Sequence, residues 1–409
     1  MWFVGALFFC YAFFQRVAPS VMISELMRDF NASGAILGSL SAFYYYAYAA
    51  VQLPTGVLAD RWGPRRLLLV SGILSGIGSL MFATSDSLLA AYIGRLMIGG
   101  AAGFGFVCTL KIITVWFPPE RLAMLSGLTM MIGMSGGVGG QAPLAAAVAA
   151  FGWRGTMVVG AALAFSIGIA AWVIIRDRPP GEPAGGATRQ SVPMLLGLRL
   201  ALRRSQTWII AAYGFFILAQ LFAFGTLWSV PYLMQTYDLS RPEAAGSASL
   251  MMVGWGVSAP IIGWISDRTR RRKPSMVIGA ALVGLVMVVL FYVPDLPFVV
   301  VNLLLLAAGV SSAGMSVCFA LVREHNESFA AGACMAFINM AVITSGAVLQ
   351  PLVGWLLDLN WDGTMANGAR VYSAAAFDGA FWIIPVCTLA AFGLALAVKE
   401  TYGRSVVSA

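Results

Sequence analysis

The chain has 409 residues, of which 60% are hydrophobic and only 10% charged, with a formal net charge of +8. So little polar sequence cannot cover so much apolar surface in water, which excludes a soluble globular enzyme. The basic residues cluster in short connections between apolar runs, so the charge reads as membrane orientation and not as a nucleic-acid partner.

Apolar runs of about 20 residues, the length that crosses a bilayer, predict twelve spans. They lie near 2–23, 34–58, 67–85, 88–115, 122–149, 155–175, 207–235, 244–265, 275–293, 297–322, 329–356 and 377–398. The first starts at the initiator with no basic segment before it, and so reads as a span and not a cleaved signal. Between the sixth and seventh runs lies "RDRPPGEPAGGATRQ", whose proline and glycine content predicts a flexible linker. The expectation is an all-α membrane protein: a six-helix bundle over 1–176, a cytoplasmic linker over 177–206 and a second six-helix bundle over 207–409. Placing both termini in the cytoplasm puts 18 of the 25 Lys and Arg on that side and four, Arg28, Arg154, Arg241 and Arg370, opposite. That asymmetry is what the positive-inside rule demands.

The two halves repeat. Gly56, Asp60, Arg61 and Arg66 return 207 positions later as Gly263, Asp267, Arg268 and Lys273, each set closing the second span of its half. "GQAPL" around Gln141 is echoed by "LQPL" around Gln350, in the fifth span of each half. Paired six-helix halves are a transporter architecture. The stretch Gly56-x-x-x-Asp60-Arg61-x-Gly63-x-Arg65-Arg66 resembles the signature loop of the major facilitator superfamily. Arg95-x-x-x-Gly99-Gly100-x-Ala102 resembles its second signature, and "GWLLD", Gly354 to Asp358, its counterpart in span eleven. The stretch "GRLMIGGAAG…VWFPPERLAMLSGL" is similar to bacterial sugar-phosphate and organic-anion permeases and to lysosomal dipeptide carriers of that superfamily. The resemblance implies that Gly56, Asp60, Arg61, Gly63, Arg65, Arg66, Arg95, Asp267 and Arg268 form a conformational latch; the bland alternative is that the arginines only enforce topology. Two positions depart from the pattern: Arg270 stands where the first copy has Gly63, and Gln141 where the drug-antiporter signature has proline.

Three cations, Arg16, Arg95 and Lys111, fall within spans, and no acidic residue lies in mid-membrane to partner them. Each costs about 2.5–3.5 kcal/mol to insert, so a solute or a watery cavity must compensate. Arg95 belongs to a signature and reads as structural or coupling, whereas Arg16 and Lys111 are candidate anion ligands, with snorkelling to either surface as the alternative for each. Ser41, Tyr45, Tyr48 and Gln52 fall on one face of span two, and Asn339 and Gln350 share a face of span eleven. Gln141 and Gln220 lie on spans five and seven, and Tyr44, Tyr46, Phe224 and Trp228 are candidate aromatic walls. Helix packing explains any one of these as well as ligand contact does.

The five cysteines, Cys10, Cys108, Cys318, Cys334 and Cys387, have no CxxC spacing and read as small core residues. His325 is the one histidine, and no phosphate-binding loop, metal cluster or nucleophile–base pair appears. The expectation is a secondary or facilitative carrier of a small organic anion or carboxylate-bearing solute by alternating access, without cofactor, metal or nucleic acid. It is expected to work as a monomer in the lipid bilayer of a bacterial cytoplasmic membrane. A dipeptide carrier, a drug or siderophore exporter and a non-transporting receptor or scaffold remain open. Lacking a mid-membrane carboxylate, the chain is expected to work by exchange or facilitated diffusion, or with proton movement carried by the substrate's own carboxylate, in preference to a dedicated proton site.

Overall fold

The computed structural model describes residues 1–178 and 194–406. Arg189 and the Pro/Gly-rich part of the predicted linker, 179–193, lie outside the described residues. Among the described residues the protein is built mainly of helices, ten of them long and apolar enough to cross a membrane, with one shorter apolar helix over Met124–Gly139. The first half contributes α1 (Trp2–Val17), α2 (Ile23–Asp29), α3 (Gly34–Thr84), α4 (Leu88–Ala102), α5 (Gly105–Trp116), α6 (Leu122–Gly139) and α7 (Ala142–Ile174). After the linker come α8 (Met194–Leu202), α9 (Ser205–Ile217), a π-helical stretch over Gln220–Trp228, α10 (Ser229–Tyr237) and α11 (Arg241–Thr269). The chain continues with α12 (Lys273–Tyr292), α13 (Phe298–Ser312), α14 (Val317–Glu324) and α15 (Ala331–Leu359). A two-stranded hairpin, β1 (Met365–Ala366) and β2 (Ala369–Arg370), precedes α16 (Ala374–Phe381) and α17 (Ile383–Ala397).

Backbone breaks fall where the residues require them. The 51-residue α3 is two helices joined at Gly63, whose φ of 78° and ψ of 154° suit only glycine. A Cβ there would also strike the Asp177 carboxylate. At the equivalent position Arg270 has φ 54° and ψ 25°, an ordinary left-handed helix cap, so the two signature loops turn differently. The run expected as one span over 122–149 is broken: α6 stops at Gly139, Gln141 is non-helical (φ −105°, ψ −106°), and α7 starts at Ala142 and turns again at Gly152. Hydropathy cannot register such a break, because both arms are equally apolar. The second part of the linker forms α8, which lies against α15.

α1 and α6 approach each other closely because glycines face α1: Gly133 fits the Phe9 ring, Gly136 the Cys10 carbonyl and Gly140 Val17. The two halves meet chiefly along α3 with α15, and α11 with α6 and α7. All five cysteines are free, and all but Cys10 are buried. His325 is buried at the end of α14, with Nε2 3.1 Å from the Lys399 carbonyl.

Candidate functional site

Three irregular segments come together in the interior. A 3-10 turn at Ala18–Val21 follows α1, the break at Gln141 separates α6 from α7, and the π-helix occupies Gln220–Trp228. Gln141 ties them, accepting from Ser20 Oγ (3.3 Å) and donating from Nε2 to the Gly225 carbonyl (3.4 Å). Non-helical backbone at membrane depth persists where protein groups satisfy it, and single π turns recur at functional positions.

Arg16 stands at the end of α1, only 3% exposed. Its guanidinium faces five aromatic rings, with centroids at 4.3 Å (Phe13), 5.1 Å (Tyr48), 5.6 Å (Phe222), 5.7 Å (Tyr44) and 6.0 Å (Tyr45). A desolvated cation–π contact contributes on the order of 2 kcal/mol. Among the described residues no carboxylate pairs with Arg16, and its Nε has no hydrogen-bond partner. The cage stabilises the cation while leaving its charge uncompensated.

Around the cage runs a belt of polar groups from both halves. The Tyr45 and Thr226 hydroxyls are 3.0 Å apart. Gln350 Nε2 donates to the Phe222 carbonyl (2.8 Å) and Thr226 Oγ1 (3.0 Å), and lies 3.5 Å from the Tyr45 hydroxyl. Trp228 Nε1 donates to the Gln350 carbonyl at 3.3 Å. Asn339 Nδ2 donates to Gln52 Oε1 at 2.7 Å. Gln220 is fully buried, with neither side-chain polar atom partnered. The expected faces of spans two and eleven are therefore real faces, turned on each other. The structure brings together Arg16, Tyr45, Tyr48 and Gln350, while Gln141 contacts Ser20 and Gly225 and Gln52 forms a separate cross-half pair with Asn339.

Lys111 does not join them. Its ammonium lies 2.6 Å from Asp60 Oδ1, with side chains 39% and 67% exposed. The expectation that it lacks an acidic partner is corrected: its four-carbon stem reaches from α5 to the signature loop. Arg95 is buried and donates from Nη1 to the Gln15 carbonyl (2.8 Å), its guanidinium 5.2 Å from the Tyr44 ring. It anchors the end of α1 beside the cage. Two aromatic assignments are also corrected. Tyr46 is exposed beside Phe43, and Phe224 packs on Tyr232, Phe291 and Phe381 inside the second half. Phe13, Phe222 and Thr226 were missed. Phe13 and Phe222 carry no polar signal, whereas Thr226, a polar residue six positions after Gln220 in an apolar span, was detectable.

The signature loops are capped in the same way 207 residues apart. Arg65 donates its main-chain N–H to Asp177 (2.9 Å), the residue following span six. Arg272 donates its own to Glu400 (2.9 and 3.0 Å), following the last span. Arg272 also pairs with Asp267 (2.5 Å) and Glu324 (2.8 Å). Arg65 Nε donates to the Trp172 carbonyl (2.7 Å), and Arg61, Arg66 and Arg268 are exposed. Asp60 pairs with Lys111. At this end Gly56 and Gly263 have no heavy atom within 4 Å of a Cβ position. At the opposite end the halves touch: Arg241 pairs with Glu25 (2.6 Å), and Gly354 backs directly on Gly34.

Long apolar helices packed around an internal polar belt with an unpaired cation describe a polytopic membrane protein. The sequence profile of the Major Facilitator Superfamily matches residues 4–246 and 215–407, and the chain belongs to that superfamily. It is thus a multi-pass integral membrane protein of a transporter family and not an enzyme. It is 24% identical over 306 residues to the probable sulfoacetate transporter SauU of Cupriavidus necator, covering 71% of this chain and 70% of that one. It is 23% identical over 404 residues to the membrane sensor protein UhpC of Escherichia coli, covering 94% and 90%. A probable hexose phosphate transport protein of Chlamydia pneumoniae is 23% identical over 296 residues, covering 65% and 63%. The fold matches a bacterial homolog of the human lysosomal transporter Spinster in an inward-facing, unoccupied conformation, with TM-score 0.79 at 16% identity, covering 100% of this chain and 98% of that one.

Proposed function

We propose that the protein carries a small organic anion across the membrane by alternating access, with Arg16 as the charge that receives it. The observation that carries this reading is the caged, unpaired guanidinium. A buried charge needs an opposite charge or strong hydrogen bonds, and only neutral groups face Arg16. A bound carboxylate, sulfonate or phosphate would supply that charge, while Tyr45, Tyr48, Gln350, Gln141 and Gln220 offer hydrogen bonds to the rest of the solute. Relatives named for sulfoacetate and hexose phosphate support the anionic class.

Counting the two arms of α3 separately, and the shorter apolar helix as a span, gives the twelve spans of the sequence reading. Two six-helix halves, 1–176 and 207–409, would rock around the polar belt. The Gly34–Gly354 contact and the Arg241–Glu25 pair support a state closed at that end, inward-facing with the signature loops in the cytoplasm. Lys111 belongs with Asp60, Arg61, Arg65 and Arg66 in the latch, not in the site.

The test is thermal stabilisation of purified protein by a panel of sulfonates, carboxylates and phosphates, because a ligand that binds the native state raises the unfolding temperature. Stabilisation by at least one anion, lost in Arg16→Ala, supports the reading; equal stabilisation of that variant overturns it. The sensor relative, matched along 94% of this chain, supports a second reading in which ligand binding moves the halves without net flux. Binding without transport in proteoliposomes would select it.

A further inference from the structure

Asp358, at the end of α15, makes four hydrogen bonds at the end of the molecule remote from the signature loops. Its Oδ1 accepts from Gly34 N (2.9 Å), the Tyr372 hydroxyl (2.6 Å) and Arg370 Nη1 (3.0 Å), and its Oδ2 accepts from Ala35 N (2.9 Å). Gly34 and Ala35 open α3 in the first half; Asp358, Arg370 and Tyr372 belong to the second. The first N–H groups of a helix have no partner of their own. Here Ser33 caps Ile36 N from within the half, while the carboxylate takes two donors from across the seam. A carboxylate at a helix N-terminus is favoured by the aligned peptide dipoles as well as by charge-assisted hydrogen bonds.

We propose that Asp358 is the clasp that holds this entrance closed, and that its release sets access to the site from that side. Two features argue for a device and not a static brace. The bonds divide unequally: Arg370 and Tyr372 stay with Asp358 when the halves part, so the carboxylate remains charged and partnered while the two N–H groups pass to water. The clasp is reversible without leaving a bare ion. It is also continuous with the polar belt. Below Gly354, α15 presents the Gln350 carbonyl to Gly38 and Gly346 to the Tyr45 ring, so helix α3 lies on α15 from the clasp down to the Tyr45–Gln350 contact. A change at Tyr45 or Gln350 is thus transmitted along one seam to the clasp.

This rests on the alternating-access reading, but the test needs no substrate. A cysteine placed at Ser41, fully buried on α3 below the seam, reports opening at the Asp358 end. A cysteine at Gly56 reports the other end. Both are labelled with a membrane-impermeant maleimide, in intact cells and in inverted vesicles, against parents carrying only the five native cysteines. Asp358→Asn should speed labelling at Ser41 roughly tenfold from the Asp358 side and slow labelling at Gly56 from the other. Tyr372→Phe, which removes a donor to the carboxylate together with the hydroxyl that accepts from Gly34 N across the seam (2.9 Å), should do the same by about threefold; it decides the matter if Asp358→Asn does not fold. Asp358→Glu should restore much of the closed state. Unchanged labelling in both variants, or faster labelling at both ends together, would overturn the clasp. Loss of anion binding in Arg16→Ala is independent of either result.

Discussion

Arg16 and Lys111 look alike in sequence, each a cation inside an apolar run, yet their surroundings give them different chemistry. A planar guanidinium stacks on aromatic faces in ways an ammonium does not. Arg16→Lys should therefore keep the charge and the fold while weakening anion affinity by at least about tenfold, measured by calorimetry on purified protein; unchanged affinity would show that the cage matters only for its charge. Lys111 forms an exposed pair with Asp60, and such pairs contribute about 0–1 kcal/mol to stability. Lys111→Ala should leave affinity within roughly twofold and alter turnover, because it touches the state equilibrium and not the site. A large loss of affinity would return Lys111 to the binding residues. Gly63→Ala forces a side chain into a glycine-only conformation against the Asp177 carboxylate, at a cost of roughly 1–3 kcal/mol, visible as a lower unfolding midpoint. The positions of Gly63, Arg16 and the tyrosine face were legible because each rests on a local rule. The Lys111 partner was not, since it joins residues 51 apart on different helices.

At the scale of elements, the sequence repeat became a structural one through contacts it did not display. The 207-residue offset aligned Asp60 with Asp267, but the shared capping joins Arg65 to Asp177 and Arg272 to Glu400, acids that follow the final helix of each half. The repeat was readable as residue identity; its caps were hidden because Asp177 and Glu400 differ in type and lie far from the motif. Burial opposes the charge on Glu400, yet N–H donors from Arg272, Lys273, Thr401 and Tyr402 outweigh it and hold its pKa below the ordinary 4.5. The native state therefore binds that proton less readily than the unfolded chain. The stabilisation is full above the unfolded value and fades as pH falls from about 5 through the lowered one. Glu400→Gln should flatten this acid limb in a thermal-unfolding series; an unaltered limb would assign it to other carboxylates. Breaks at Gln141 and over Gln220–Trp228 escaped the hydropathy pattern for a plain reason: apolar periodicity reports burial, and a broken helix buries the same residues as a straight one.

Over the whole molecule, the membrane class follows from composition, since a chain this apolar has only the bilayer to enter. The meeting of the halves is a tertiary fact: the contact of Tyr45 with Thr226 and Gln350 joins positions 181 and 305 residues apart. The seam at Asp358, where the halves meet, and the unpaired Arg16 in the interior are the two features on which the proposed transport rests. In the proposed cycle an anion binds Arg16 and is released on the other side of the membrane. The direct measurement is counterflow in proteoliposomes loaded with the unlabelled organic anion that best stabilises the purified protein, with the same anion labelled outside and no imposed gradient of protons or voltage. Saturable accumulation of label in the wild-type protein, absent in Arg16→Ala of equal reconstitution and thermal stability, is the predicted result. Counterflow undiminished in Arg16→Ala would contradict it.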